Sequence, residues 1–165
     1  MPPRVLLTGA TGFIGRNLHA PLASAGLDVR CLTRRPEEAR LAWPDRQWVR
    51  GDIGAPESLP EALRGCDIAY YLVHGMGSHQ PGWAEEELRW ARNFALAAEV
   101  AGVGRIIYLG GVAPQGPPSE HLLSRLNTGA VLRSGAVPTL ELRAGMIIGA
   151  GSASGASAAL RDRVT

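Results

Sequence analysis

The stretch Arg4-Val5-Leu6-Leu7-Thr8-Gly9-Ala10-Thr11-Gly12-Phe13-Ile14-Gly15 constrains this chain more than any other. An apolar run stops at a glycine-rich turn, and a pattern with Ile14, Leu18 and Leu22 on one face begins at once. This is how a β-strand hands over to an α-helix. Gly9 allows a tight turn, Gly12 lets backbone N–H groups approach a ligand, and Gly15 lets the helix pack closely on the strand. The unpaired N–H groups and positive dipole end of such a helix suit a pyrophosphate. The spacing is G-x-x-G-x-x-G, one residue longer than the commoner G-x-G-x-x-G.

Strand-like and helix-like patterns alternate from this stretch onward. Strands are expected over residues 28–34, 47–53, 67–73, 105–111 and 138–145. Helices are expected over 13–25, 57–63, 83–101 and from Ser119 to the stop at Gly135. Repeated strand–helix crossovers require a parallel sheet covered on both faces. With a phosphate-binding turn on the first strand, the expectation is an α/β Rossmann-type, doubly wound parallel sheet of order 3-2-1-4-5-6. Residues 1–148 read as one domain. From Gly149 to Ala159 the composition collapses to Gly, Ala and Ser, so residues 149–165 form a flexible end or the start of a connection.

Composition narrows the function classes. Net charge is +2 with acids and bases interspersed, which offers no basic patch for nucleic acid or membrane. Cys31 and Cys66 lie far apart without metal-ligand spacing and read as reduced core thiols; no metal site is expected. No apolar run reaches membrane-spanning length, and the chain reads as soluble and cytoplasmic. All 17 of the Lys and Arg residues are Arg.

Several residues fall where the expected fold places ligands, beyond the carboxyl ends of the strands. At the end of the second strand, where an acid would grip the ribose of NAD, stand Arg34 and Arg35. A guanidinium fork suits a 2′-phosphate, so the pair favours NADP(H), with NAD(H) possible. Asp52 and Ile53 lie where an adenine ring could dock, and His74 opens a loop, His74-Gly75-Met76-Gly77, that could touch cofactor or substrate.

Thr8 to Gly15, Gly51-Asp52, Ala101-Gly-Val-Gly-Arg-Ile-Ile-Tyr-Leu109 and Leu142-Arg-Ala-Gly145 together resemble the short-chain dehydrogenase/reductase superfamily. The run Tyr70-Tyr-Leu-Val-His-Gly-Met-Gly77 is similar to its atypical, NmrA-like branch and to bacterial NAD(P)H-binding proteins of that branch. The resemblance implies that Thr8, Gly9, Thr11, Gly12, Phe13, Ile14 and Gly15 meet the diphosphate. It places Arg34 or Arg35 at the 2′-phosphate, Asp52 and Ile53 at the adenine, and Val73, His74 and Gly75 nearer the ribose and nicotinamide. Active members of the superfamily use a Tyr-x-x-x-Lys pair, in which the lysine lowers the tyrosine pKa. This chain has no Lys, and Gly110-Gly111 stands where the accompanying serine would be. His121 and Arg125, one helical turn apart, are the candidates to replace the pair as acid/base and fixed cation. Two functions follow. One is the cofactor half of an oxidoreductase acting on an unknown small molecule. The other is a non-catalytic NAD(P)-binding module acting through a protein partner.

Overall fold

The computed structural model describes residues 1–74, 81–145, 147 and 149. Six strands form one sheet: β1 (Arg4–Leu7), β2 (Asp28–Thr33), β3 (Gln47–Arg50), β4 (Ile68–Tyr71), β5 (Arg105–Gly111) and β6 (Thr139–Ala144). Every neighbouring pair is parallel and the order is β3-β2-β1-β4-β5-β6, as the alternation of patterns requires. Between them run α1 (Phe13–Ser24), α2 (Pro36–Ala42), α3 (Leu59–Leu63), α4 (Trp83–Val100) and α5 (Glu120–Ser134).

The central strand shows why the sheet must be covered twice. Val5, Leu6 and Leu7 of β1 are all fully buried. Val5 and Leu7 join one core with Leu22 of α1 and Ala39 of α2. Leu6 joins the other with Leu59 and Leu63 of α3, Phe94 of α4 and Leu132 of α5. Side chains alternate across a strand, so β1 must be apolar at successive positions to feed both cores. The second core is held by stacked rings: Tyr71 meets Phe94 edge-on at 5.1 Å and Tyr108 at 6.1 Å.

Among the described residues, coverage of the first face stops short of β5 and β6. Ile106 and Tyr108 are buried under α4 and α5, so Ile107 and Leu109 point the other way. They pair with Leu140 and Leu142 of β6, which remain 46% and 49% exposed. Among the described residues, α1 and α2 are the helices on that face, and both serve β1 to β3.

Helix α2 was not expected from the sequence. Its signals are present: Pro36 at the first position, Glu37 and Glu38 in the first turn, and Arg40 in the last. At 7 residues it is too short to display an apolar period. The expected end of β6 at Gly145 and of β4 at Val73 overran the pairing, which stops at Ala144 and Tyr71.

Candidate functional site

Strand order reverses between β1 and β4, and the glycine turn lies at that point. Thr8 is fully buried there. Its hydroxyl donates to the Tyr70 carbonyl at 2.8 Å and accepts from the Leu72 N–H at 2.9 Å. The Thr8 hydroxyl thus straps β1 to the exit of β4. Gly9 follows with φ +61°, and a Cβ on it would sit 2.9 Å from the Leu72 carbonyl oxygen. Both facts exclude a side chain. At Gly15 a Cβ would overlap the Gly9 carbonyl oxygen and lie 2.6 Å from the Ala10 Cα, so the first turn of α1 packs directly on the turn.

The head of α1 has no side-chain cap and no acid in its first turn. Gly12 donates its N–H to the Gly9 carbonyl at 2.9 Å, which leaves the N–H groups of Phe13, Ile14 and Gly15 as the orphan donors of the helix start. An uncapped helix start beside a tight glycine turn is suited to an anion. Thr11 is exposed beside it, and Gly149 packs on the Phe13 ring.

From this turn an open cleft of about 1040 Å³ runs along the carboxyl ends of β1 to β4. Gly9 and Thr11 form its floor, Arg34 and Arg35 its rim beyond β2, and Val73 and His74 its far wall beyond β4. Asp52 and Ile53 lie in the loop after β3. That loop is pinned: the Asp52 carboxylate accepts the Gly54 N–H at 2.9 Å, and Ser58 Oγ accepts the Asp52 N–H at 2.9 Å. Of the residues expected at a dinucleotide, Gly9, Thr11, Arg34, Arg35, Asp52, Ile53, Val73 and His74 therefore line one cavity. Gly75 lies outside the described residues.

Among the lining residues missed in the sequence are Trp90 and Glu38. Trp90 belongs to the apolar stripe of α4, where it reads as core; it does pack on the core, and its ring also closes the cleft beside Gly54. Glu38 lies one turn past Arg35 in α2. The sequence shows no acid directly at the end of β2, but the short helix brings this one to the rim. Arg35 reaches Glu38 at 3.4 Å, while Arg50 grips both Glu37 carboxylate oxygens at 2.8 Å. Arg34 makes no side-chain hydrogen bond or ion pair among the described residues.

His74 stands edge-on to the Tyr108 ring at 5.9 Å. Burial, reinforced by the nearby Arg125 charge, brings its pKa down to about 4, so it is neutral at pH 7. Tyr108 donates its hydroxyl to the Arg125 carbonyl at 2.8 Å, and burial raises its pKa, as it does for Tyr70 and Tyr71. His121 goes elsewhere. It is exposed on α5 with its ring 4.9 Å from Trp83 of α4, and neither His121 nor Arg125 lines the cleft. At Gly111 a Cβ would lie 2.6 Å from Leu122 Cδ1, so a larger residue there requires the Leu122 side chain to move. Behind this region Ser124 donates to the buried Glu87 carboxylate, tying α5 to α4. Burial raises the pKa of Cys31 to about 11 and that of Cys66 as well, and both are free thiols. Among the described residues no cluster of His, Cys, Asp and Glu could hold a metal, and no helix is long and apolar enough to cross a membrane.

Residues 9–134, from the glycine turn to the end of α5, match the model of a family described as NAD(P)H-binding. The chain belongs to the NAD(P)H-binding family. Its resemblance to the atypical short-chain dehydrogenases/reductases is borne out by its relatives. A (4-alkanoyl-5-oxo-2,5-dihydrofuran-3-yl)methyl phosphate reductase of Streptomyces griseus is 37% identical over 121 residues, 73% of this chain and 39% of its own length. A ceramide reductase of Caulobacter vibrioides is 30% identical over 128 residues, 76% of this chain and 40% of its own. Among solved structures, a short-chain dehydrogenase/reductase superfamily protein of Agrobacterium tumefaciens with bound NAD superposes with a TM-score of 0.69 at 25% identity. That match covers 85% of this chain and 48% of the other. Triphenylmethane reductase of Citrobacter sp., complexed with NADP(H), shares the fold with a TM-score of 0.72 at 24% identity, over 85% and 48% of the two chains. This NAD(P)H-binding chain thus spans about two fifths of its curated relatives and about half of these solved ones.

Proposed function

We propose that residues 1–148 are the cofactor-binding unit of a cytoplasmic reductase, that residues 149–165 are the start of a connection to a substrate-binding portion, and that the unit prefers NADP(H) over NAD(H). The observation that carries this reading is Arg34, without a side-chain partner among the described residues, on the rim of the cleft that begins at the uncapped head of α1. The diphosphate lies on the N–H groups of Phe13 to Gly15, with Gly9 and Gly12 giving it room. Arg34 takes the 2′-phosphate, aided by Arg35. The adenine sits between the Asp52–Ile53 loop and Trp90, and the nicotinamide lies toward Val73, His74 and Gly75. A bound nicotinamide supplies hydride chemistry. The residues of this chain bind and orient it, and neutral His74 can exchange a hydrogen bond but adds no charge beside it. The free buried thiols suit a reducing compartment.

Calorimetry tests the preference. NADPH is expected to bind more tightly than NADH, and Arg34→Ala to narrow the gap by about tenfold, the order of one charge-assisted contact. Equal affinities in the parent chain would remove the phosphate role of the arginines.

A second reading, a non-catalytic NAD(P)-binding module working through a protein partner, is favoured by the surroundings of the catalytic candidates. His121 stacks on Trp83 outside the cleft, and Tyr70, Tyr71 and Tyr108 all lie in strands with their pKa values raised. NADPH oxidation against a panel of carbonyl compounds separates the two. Turnover that disappears in His121→Ala supports the enzyme with His121 as acid/base and Arg125 as its cation. Binding without turnover supports the module.

A further inference from the structure

The two edges of the sheet are finished differently. At β3 the outward carbonyl of Trp48 accepts a hydrogen bond from Arg40 of α2 at 3.4 Å, so a side chain of the adjoining helix occupies that edge. At β6 the register with β5 fixes which groups point outward. The Pro138 and Ala144 carbonyls accept from Ile106 and Val112, and the pairing between those points is unbroken. Even-numbered residues of β6 therefore face β5, and the N–H and C=O groups of Thr139, Glu141 and Arg143 face away from it. Among the described residues no group bonds them. A strand edge of this kind is a template for another strand.

The side chains of β6 select the partner. Leu140 and Leu142 stand on one face, half-exposed. Glu141 and Arg143 stand on the other, where Glu141 is buried against Arg133 of α5 and accepts a bond from Arg143 at 3.1 Å. The Arg143 side chain is 46% exposed and can turn outward. Laid antiparallel on a second copy, β6 has two registers that overlap most of the strand and set outward groups against outward groups. With the two-fold axis at Glu141, the carboxylates of both copies lie directly opposite one another, which is unfavourable. With the axis at Leu142, Glu141 of each copy lies opposite Arg143 of the other, and Leu142 meets its own copy on the apolar face. The strand is thus self-complementary in charge in the second register alone of the two. We propose that β6 is the docking edge for a second copy of this chain, added antiparallel about a two-fold axis at Leu142 to make one continuous sheet. The cleft lies at β1 to β4, away from this edge, so the inference does not depend on what the cleft binds.

Sedimentation velocity of the full chain over a concentration series is expected to show a monomer–dimer equilibrium. Arg143→Pro removes one outward N–H without touching the ladder to β5, and it is expected to raise the dimer dissociation constant by about tenfold or more. Arg143→Glu sets carboxylate against carboxylate and is expected to raise it further than Arg143→Gln does. Leu142→Cys brings the two copies' Cα atoms to about 4.5 Å at the axis, so mild oxidation joins them by a disulfide. Leu140→Cys, displaced from the axis, is expected not to cross-link. Cys31 and Cys66 are buried and give the unreacted background in both. Matching melting temperatures show that the variants are folded, and the cysteine pair keeps the test valid if Arg143→Pro is not. A chain that stays monomeric throughout the series overturns the proposal. So does a dimer that is indifferent to Arg143→Pro and cross-links no better at residue 142 than at residue 140, because the copies then meet elsewhere. Slow hydrogen exchange at the Glu141 and Arg143 amides of a monomer would show that residues of the same chain hold the edge, and overturns it as well.

Discussion

A methyl group at Gly9 would press on the Leu72 carbonyl while the backbone stays at φ +61°, so two independent penalties act at one position. Gly9→Ala is expected to lower stability by about 1–3 kcal/mol in chemical denaturation and to abolish stabilisation by NADPH, because relaxing the turn moves the N–H donors. His74 makes a different kind of residue-scale prediction. Its folded-state pKa of about 4 lies below the unfolded value near 6.5, so the unfolded chain takes up its proton first as the solution is acidified. Stability from this group is full above pH 6.5 and is lost as pH falls from there toward 4. Melting temperatures measured across that window should fall less steeply in His74→Gln than in the parent. An identical acid slope in the two proteins would mean that burial of His74 is not felt. His19 is also buried with a lowered pKa and keeps its own share of the slope in both.

Helix α4 and helix α5 do more for the site than their sequences disclose. The hydrogen bond from Ser124 to buried Glu87 fixes the two against each other behind His74 and Tyr108. Ser124→Ala should cost about 1–2 kcal/mol of stability, since it takes one hydrogen bond from a buried carboxylate. Urea denaturation reads this directly; no loss would show that Glu87 is held by its other contacts. At this scale the fold was largely legible. β1 announces itself because a strand buried on both faces must be apolar throughout, and the glycines of the turn mark the one place where backbone conformation overrides composition. The site was legible in part. Arg34, Asp52 and His74 line the cleft because they follow strand ends, a position the sequence shows. Glu38 escaped because a helix of 7 residues carries no period, and Trp90 because one ring can serve both the core and the cleft. The bonds of the Thr8 hydroxyl to the backbone at β4 were not legible in the sequence, because they depend on how the strands pair. Helical spacing put His121 and Arg125 together, but the facing helix α4 draws the His121 ring to Trp83.

At the scale of the whole molecule, the described residues complete the pairing of the sheet but leave part of one face uncovered. All six strands are paired in one sheet, yet Leu140 and Leu142 stand half-exposed beside Ile107 and Leu109. An exposed apolar face of this kind should bind a hydrophobic dye, and replacing Leu140 and Leu142 by Thr should reduce that fluorescence without changing NADPH affinity. Loss of cofactor binding in the same variant would show instead that the edge strand supports the cleft. The contact between Gly149 and the Phe13 ring has its own bearing on this architecture. Gly149, beyond β6, lies against the Phe13 ring, so a residue that follows the edge strand sits at the head of α1. A segment continuing from Gly149 would start beside the phosphate turn. A substrate-binding portion joined there would have its opening segment delivered to the cofactor by connectivity alone, with little diffusional search left to do.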